Sequence, residues 1–308
     1  MRILRGWTGL APQDRGAAVA VGNFDGVHLG HQTVLDLARQ QPAPLGVLTF
    51  EPHPREVFVP DTVPFRLMNA EAKAHRLEKL GVERMYELPF DARLSGLSAE
   101  AFAAEVLAEG LGAAHVVVGA DFRFGKGRTG TAEELVALGR RHGFGVTVAR
   151  LLQGDGGRIS STAIRAALTD GRPRDAAAML GHWHRIEGAV LHGDKRGRTL
   201  GYPTANMALT GLHPPRFGVY AVLVDVLSGP HRGSFHGAAS LGIRPMFETP
   251  QPALETYIFD FTGDLYDTHL SVALVDFLRP EAKFDSLAAL TTQMDADCAR
   301  ARDILAAP

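Results

Sequence analysis

Short apolar runs alternate with helical patterns through the first half of the chain. Apolar spacing in the segments between the runs, such as 69–81 and 98–110, predicts helices. Alternation of strand and helix favours a parallel, doubly wound sheet of the Rossmann type. The runs that predict buried strands are residues 17–22, 44–50, 83–89, 114–120 and 144–151.

After Arg158 the pattern changes. Residues 160–181 predict one or two short helices broken at Pro173, and beyond Gly181 the chain becomes rich in strand patterns. Strands without intervening helices favour an antiparallel β-barrel, and a helix from about Ser286 closes the chain. We therefore predict two domains, residues 1–182 and 183–308. The strand runs of the second are 184–193, 218–227, 234–242, 254–261 and 269–278.

Composition narrows the classes of protein to consider. The 308 residues are 45% hydrophobic and carry a formal net charge of -2, so the basic footprint of a nucleic-acid binder is missing. The single cysteine, Cys298, excludes an internal disulfide framework and a cysteine-cluster metal site. The sequence shows no secretory signal and no run of the ~18 apolar residues that a membrane span needs. We expect a cytoplasmic protein without nucleic-acid or membrane partners, and a homo-oligomer is compatible with the sequence.

The stretch "VGNFDGVHLGHQ" follows the first predicted strand. Gly22 and Gly26 permit a sharp turn, and we expect a helix to begin near Val27. His28 and His31, three residues apart, then share one helix face and can point at one phosphate beside the positive helix end. Two alternatives are a histidine metal pair and a pair that only caps the helix. The metal alternative lacks an adjacent third ligand.

This stretch resembles the H-x-G-H signature of the nucleotidyltransferase superfamily, and it is most similar to the flavin adenylyltransferase half of bifunctional riboflavin kinase/FAD synthetases. The likeness implies that His28 and His31 act at the α-phosphate of ATP. "ISSTAIR", residues 159–165, resembles a second element of that superfamily, which holds the ATP phosphates. The nucleotide-binding residues that the likeness implies in this half are Gly22, Phe24, Asp25, Gly30, Ser161, Thr162 and Arg165.

Two further stretches are similar to the same family. "LTFEPHPREVF" (48–58) resembles its T-F-x-P-H-P loop, and residues 118–125 resemble its V-G-x-D-F-x-F-G element. The implied flavin-binding residues are His53, Asp121, Phe122 and Phe124. Taken alone, His53 could equally be a solvated histidine in a proline-rich loop. "GKGRTG" (125–130) matches G-x-G-x-x-G, but it follows the fourth predicted strand, so we interpret it as a turn and not as an NAD-binding motif.

The second half contains "HGDKRGRTLGYPTANM", residues 192–207. Its glycines and arginines predict a basic loop that can cover polyphosphate, and Thr204 and Asn206 offer the hard oxygen ligands that Mg²⁺ prefers. Composition alone favours an ordinary turn here. The run resembles the G-D-x-R-G-R-x-L-G-x-P-T-A-N motif of riboflavin kinases, which implies Mg²⁺ and ATP contacts. The implied residues are Gly193, Lys195, Arg198, Gly201, Pro203, Thr204 and Asn206.

The resemblance also implies a catalytic base in the second half. Glu255 stands at the glutamate of the family's E-T-H element, which takes the proton from the ribityl 5'-hydroxyl. A carboxylate on a barrel strand can face a pocket in this way, although an exposed glutamate at a strand edge is the simpler alternative. Tyr257 stands where the family usually has histidine, and Met246 where it usually has threonine.

The resemblance therefore implies an enzyme with two activities. We expect the second domain to phosphorylate riboflavin to FMN with ATP and Mg²⁺, and the first to transfer AMP from another ATP to FMN, giving FAD and pyrophosphate. A nucleotidyltransferase for another phosphate acceptor is one alternative. A flavin-binding regulator with a silenced barrel is the other.

Overall fold

A computed structural model describes residues 1–60, 63–154, 157–192, 201–244 and 251–306. The chain forms two compact units. The first contains Met1–Thr62 and Lys73–Ser160, and the second contains Val63–Ala72 and Ser161–Pro308. Residues 161–182 thus group with the second unit, whereas the predicted domains divide after residue 182. The domain limits 1–182 and 183–308 stay a prediction.

The first unit is built from strands that alternate with helices, as the sequence predicts. Its strands are β1 Arg2–Arg5, β2 Ala18–Val21, β3 Leu45–Glu51, β4 Arg84–Pro89, β5 His115–Gly119, β6 Arg123–Phe124, β7 Gly130–Thr131, β8 Gly145–Ala149, β9 Gln153–Gly154 and β10 Gly157–Arg158. Its helices are α1 Leu29–Arg39, α2 Pro54–Phe58, α3 Ala70–Lys79, which begins in the second unit, α4 Ala92–Gly96, α5 Ala99–Ala101 with a π-helical continuation Phe102–Gly110, and α6 Ala132–His142.

Six of these strands form one parallel sheet in the order β1-β4-β3-β2-β5-β8. All residues of β2 are buried, as expected for a strand covered on both faces. The five predicted strands are confirmed. The short edge strand β1 was not predicted. Only Leu4 of its four residues is partly buried, so the strand needs no apolar run that a sequence pattern could show.

Among its described residues, the second unit contains two helices, six strands and a long final helix. Its helices are α7 Ser161–Thr169, α8 Pro173–Leu180 and α9 Leu287–Ala306, and its strands are β11 Arg185–Ala189, β12 Thr204–Ala208, β13 Gly218–Val226, β14 Gly233–Arg244, β15 Gln251–Ile258 and β16 His269–Arg279.

These strands form an antiparallel sheet in the order β11-β16-β13-β14-β15-β12. An antiparallel bridge joins Leu191, just after β11, to Asn206 of β12, so the sheet is a nearly closed barrel. The predicted fold class is confirmed. Strand β12 corrects one expectation, because composition alone favoured a turn at Thr204–Ala208. Alternation of buried Ala205 and Met207 with pairing to β15 makes this segment a strand.

The two faces of the barrel sheet have different surroundings. The interior is filled by apolar side chains such as Met207, Val222, Leu254 and Leu274. On the outside of the barrel, α9 packs on a second group of apolar side chains that includes Val219. Within the part of the chain that the structure describes, no helix is both long and apolar enough to cross a bilayer.

Candidate active sites

The first site is the loop between β2 and α1, at the carboxyl edge of the parallel sheet. It lies at the switch point where β3 and β5 flank β2 on opposite sides, the usual ligand position in such sheets. The Gly22 N–H donates to the Leu48 carbonyl over 3.1 Å. Phe24 and Val27 have φ of 51° and 43°, a left-handed conformation that a β-branched valine rarely adopts. Both side chains are buried, so packing maintains the strained backbone.

The two histidines are brought together by the start of α1. The helix begins at Leu29, two residues after the expected Val27, and His28 is its N-cap: His28 Nδ1 accepts the His31 backbone N–H over 3.3 Å. The two imidazole rings stack with centroids 3.7 Å apart, and the Phe24 ring lies 5.1 Å from that of His31. His28 therefore caps α1 and also stacks its ring on that of His31, so the two interpretations of the histidine pair are compatible.

The charge of His31 is suppressed by its surroundings. Burial lowers its pKa well below the ordinary value, and His28 and the positive charge of Lys73 lower that pKa further. At neutral pH His31 is thus an uncharged hydrogen-bonding group. Its Nδ1 is buried and has no hydrogen-bond partner among the described residues, which makes it available to a ligand.

Gly30 is required by the ring of His28. A Cβ on Gly30 would lie 3.1 Å from both Nδ1 and Cε1 of His28, closer than ordinary van der Waals contact. The glycine of the H-x-G-H stretch therefore lets the imidazole lie against the first helical turn. Asp25, one of the predicted nucleotide-binding residues, is buried in the same loop.

The predicted flavin residues of the first unit also have structural contacts. His53 is the N-cap of α2: its Nδ1 accepts the Arg55 N–H over 3.1 Å, and its own N–H donates to Glu56. Phe124 is buried in the core of this unit, and Phe122 stacks on it with centroids 5.5 Å apart. Asp121 is exposed just after β5. Their roles in flavin binding stay predictions.

Ser161, Thr162 and Arg165 lie at the start of α7 and belong to the second unit. Arg165 Nε donates to the Phe65 carbonyl over 2.5 Å, and its guanidinium carbon lies 5.5 Å from the Phe65 ring centroid. The side chain of Arg165 is half-buried by these contacts. Its predicted contact with ATP phosphates stays a prediction.

The second site lies on the outer face of the barrel. The strand register places Asn206 opposite Glu255, and Thr204 opposite Tyr257. On the other side of β15, Glu255 faces Ser240 of β14. Because alternate residues of a strand share a face, all five side chains belong to one surface of the sheet. The ladder thus brings together the three residues to which the resemblance assigns the kinase chemistry.

This surface forms part of a cavity of about 820 Å³, a volume typical of small-molecule sites. Helix α9 forms another wall. It is joined to the end of β16 by a bidentate ion pair, in which Arg279 Nε lies 3.0 Å from Asp297 Oδ1 and Nη2 lies 2.7 Å from Oδ2. The residues that line the cavity include Thr204, Asn206, Ser240, Glu255 and Tyr257 from strands, and Met294 and Cys298 from α9.

The approach to β12 is described only in part. Gly193, Lys195 and Arg198 lie outside the described residues, as does Met246. Gly201 is exposed with φ of 83°, a conformation that favours glycine, and Pro203 is exposed beside it. Between them, Tyr202 donates a hydrogen bond from its hydroxyl to Asp295 of α9.

No sequence pattern indicated Lys73, which is buried against Thr49 of β3. Lysine at that position fits an ordinary amphipathic helix, and only the packing of α3 shows that the residue is buried. Arg279 was also missed, because its partner Asp297 is 18 residues away in sequence.

The first unit is a parallel sheet with histidines at its switch point. The second is a barrel with an acid, an amide and a hydroxyl in one cavity. Together these features define a two-domain transferase that uses nucleotides. Comparison with known proteins identifies the family to which this transferase belongs. Residues 10–163 match the family model described as FAD synthetase, and residues 180–305 match the one described as riboflavin kinase.

Relatives extend over the whole chain. The bifunctional riboflavin kinase/FMN adenylyltransferase of Pseudomonas fluorescens is 44% identical over 100% of this chain and 99% of its own length. The protein of the same name from Escherichia coli strain K12 is 39% identical over 98% of this chain and 97% of its own length. The chain therefore belongs to the family of bifunctional riboflavin kinases/FMN adenylyltransferases, enzymes of flavin cofactor biosynthesis.

A solved structure has the same fold. The crystal structure of a Streptococcus pneumoniae protein described as a macrolide-efflux protein has a TM-score of 0.81 and 32% identity. The match covers 96% of this chain and 97% of that one. The likeness in fold thus extends over nearly the full length of both chains.

Proposed function

We propose that each of the two reactions of the family has its own set of residues in this chain. Glu255, Thr204 and Asn206 serve riboflavin phosphorylation, and His28 and His31 serve adenylyl transfer to FMN. The observation that carries the first half is the register of β12 and β15, which aligns an acid with an amide and a hydroxyl in one cavity. The stacked imidazoles at the switch point support the second half.

In the kinase reaction, Glu255 is the general base. Its carboxylate accepts the proton of the ribityl 5'-hydroxyl while that oxygen attacks the γ-phosphorus of ATP, and ADP leaves. Glu255 lies within an antiparallel strand paired on both sides, so its Cα is held in place. A base that is positioned in this way typically contributes about 10²–10⁴-fold to the rate.

Thr204 and Asn206 fit a Mg²⁺ ion that is shared with ATP. Their side chains offer neutral oxygen ligands on one face, and no cluster of three or more His, Cys, Asp or Glu suitable for a metal occurs among the described residues. This set suits an ion that keeps several waters and is bound partly by phosphate. When bound, Mg²⁺ would neutralise charge on the phosphates. The other residues proposed for the nucleotide in this half are Gly193, Lys195, Arg198, Gly201 and Pro203.

In the adenylyl reaction, a phosphate oxygen of FMN attacks the α-phosphorus of ATP and pyrophosphate leaves. FMN phosphate is already an anion at neutral pH, so His28 and His31 act as hydrogen-bond donors and not as bases. The neutral state favoured for His31 agrees with donation of one N–H. Proposed ligands of ATP and pyrophosphate are Gly22, Phe24, Asp25, Gly30, Ser161, Thr162 and Arg165, and those of flavin are His53, Asp121, Phe122 and Phe124.

A paired experiment tests this division. The full-length His31→Ala and Glu255→Gln variants are incubated with ATP, Mg²⁺ and either riboflavin or FMN, and the flavins are separated by chromatography. We expect His31→Ala to form FMN at the normal rate without FAD. We expect Glu255→Gln to make FAD only when FMN is supplied. His142→Ala, at an ion pair with Glu100, is a control for histidine removal in the first unit.

Loss of both products in one folded variant would contradict the division of roles. Formation of neither product by the unchanged protein would favour the alternatives, another phosphate acceptor or a flavin-binding regulator. We further propose that the enzyme works in the cytoplasm, where ATP is supplied.

A further inference from the structure

Lys73 is a buried cation at the carboxyl edge of the first sheet. Its Nζ donates to Thr49 Oγ1 over 3.0 Å and lies 4.0 Å from Glu51 Oε2. The side chain of Lys73 is only 7% exposed. Lysine is rarely buried, because removing an ammonium from water is costly unless charged or polar groups compensate. The burial of this ammonium therefore suggests that its positive charge has a role at this edge of the sheet.

Thr49 links this ammonium to the histidine loop. Its hydroxyl accepts from Lys73 and donates to the Asn23 carbonyl over 3.2 Å, which uses its one proton. Asn23 lies between Gly22 and Phe24, within the loop that leads to His28. The cation is thus fixed to the backbone of the first site through one fully buried side chain.

The field of Lys73 reaches the imidazoles. It contributes to the lowered pKa of His31, after burial and after His28. His31 is therefore polar but uncharged at neutral pH, and the ammonium group of Lys73 supplies a positive charge at this edge beside the Glu51 carboxylate. Two phosphate groups must approach each other in adenylyl transfer, and a fixed cation reduces their repulsion without reorganisation.

The strand that the Lys73 side chain contacts, β3, indicates which phosphate group the ammonium binds. Both Thr49 and Glu51 belong to the end of β3, in the T-F-x-P-H-P stretch that contains His53, proposed to bind flavin. The proposed ATP residues of the first unit instead follow β2. We propose that Lys73 binds the phosphate group of FMN and holds it for attack on ATP. This inference rests on the adenylyl-transfer site proposed above.

Full-length variants test the role of the charge. Lys73→Gln keeps a hydrogen-bond donor for Thr49 without the charge, Lys73→Arg keeps the charge, and Lys79→Met removes an exposed lysine from the same helix as a control. Steady-state rates of FAD formation are measured against FMN and against ATP. Because a hydrogen bond to a charged group contributes about 1.5–3 kcal/mol, we expect the FMN KM of Lys73→Gln to rise about 10- to 100-fold.

The ATP KM should change much less, Lys73→Arg should recover part of the FMN affinity, and Lys79→Met should match the unchanged protein. Equal rises of both KM values, or no rise for FMN, would overturn the inference. In a Trp183→Phe background, Trp7 fluorescence reports the buried core of the first unit and identifies a variant that fails to fold. In that case Lys73→Arg is compared with Lys79→Met: a modest rise of the FMN KM without a rise of the ATP KM supports the role of Lys73, whereas an unaltered FMN KM or equal rises of both KM values overturn it.

The His31→Ala variant separates this inference from the proposed site. If His31→Ala forms FAD normally, the proposed site is wrong whatever Lys73 does. If His31→Ala forms no FAD and Lys73→Gln keeps a normal FMN KM, the assignment of Lys73 alone fails.

Discussion

The ion pair between Arg279 and Asp297 should be a main attachment of α9 to the barrel. Asp297 accepts from Nε and Nη2 of Arg279 and from Gln293 Nε2, and its side chain is 9% exposed. Asp297→Ala would leave the guanidinium of Arg279 without its carboxylate beside the cavity of the second unit. Removing one partner of a buried pair costs about 3–5 kcal/mol.

The lower end of that range applies, because the Arg279 side chain keeps 21% exposure and gains water when Asp297 is removed. A loss of about 3 kcal/mol, divided by a urea m-value of about 2 kcal/mol/M, lowers the unfolding midpoint of the second unit by about 1.5 M. The chain has two tryptophans, Trp7 in the first unit and Trp183 in the second. In a Trp7→Phe background, Trp183 fluorescence follows the second unit alone.

Asp260→Asn provides a control at another ion pair of α9, because asparagine removes the charge and tolerates the left-handed backbone (φ 55°) of this position. Asp260 also forms a bidentate pair, with Arg302 of α9, but the two side chains are 79% and 47% exposed. Exposed pairs contribute little to stability, so its midpoint should not shift measurably. Equal midpoint shifts for the two variants, or none for Asp297→Ala, would refute the argument that burial decides the strength of this pair.

Two further predictions concern single residues. Burial, with His182 and His213, lowers the pKa of His184 to about 3, so below about pH 6.5 the unfolded chain binds a proton that the native state excludes. The second unit should therefore lose about 2 kcal/mol of stability between pH 7 and pH 5, and urea midpoints of His184→Gln should fall less steeply over that interval. Gly30→Ala should slow FAD formation about tenfold by displacing the His28 ring, with FMN formation as the control; an unaltered rate would show that the ring position is unimportant.

Periodicity in the sequence was sufficient for the main strands and for the two types of sheet. Runs such as 17–22 are apolar throughout, which is the pattern of a strand covered on both faces. It was insufficient for β12, where Thr204 and Asn206 carry turn-forming side chains and the strand exists because β15 pairs with it. Tertiary pairing of this kind leaves no mark in a local window.

The candidate sites were predictable to the extent that their residues are adjacent in sequence. His28 and His31 share a turn of helix, so their proximity follows from spacing. Spacing did not show that His28 would cap the helix, since the positive φ of Val27 delays its start. The pairing of Lys73 with Thr49 joins positions 24 residues apart, and only the packing of α3 on the sheet determines it.

The register of β12 and β15 also separates two kinds of evolutionary change. Even and odd positions of these strands face different surroundings: Ala205 and Met207 fill the barrel, whereas Thr204 and Asn206 face the cavity. Substitutions at the cavity-facing positions can therefore change substrate preference, while the barrel-facing positions preserve the fold. Insertion of a single residue would exchange the two sets at once, so these strands should tolerate substitution far better than any change in length.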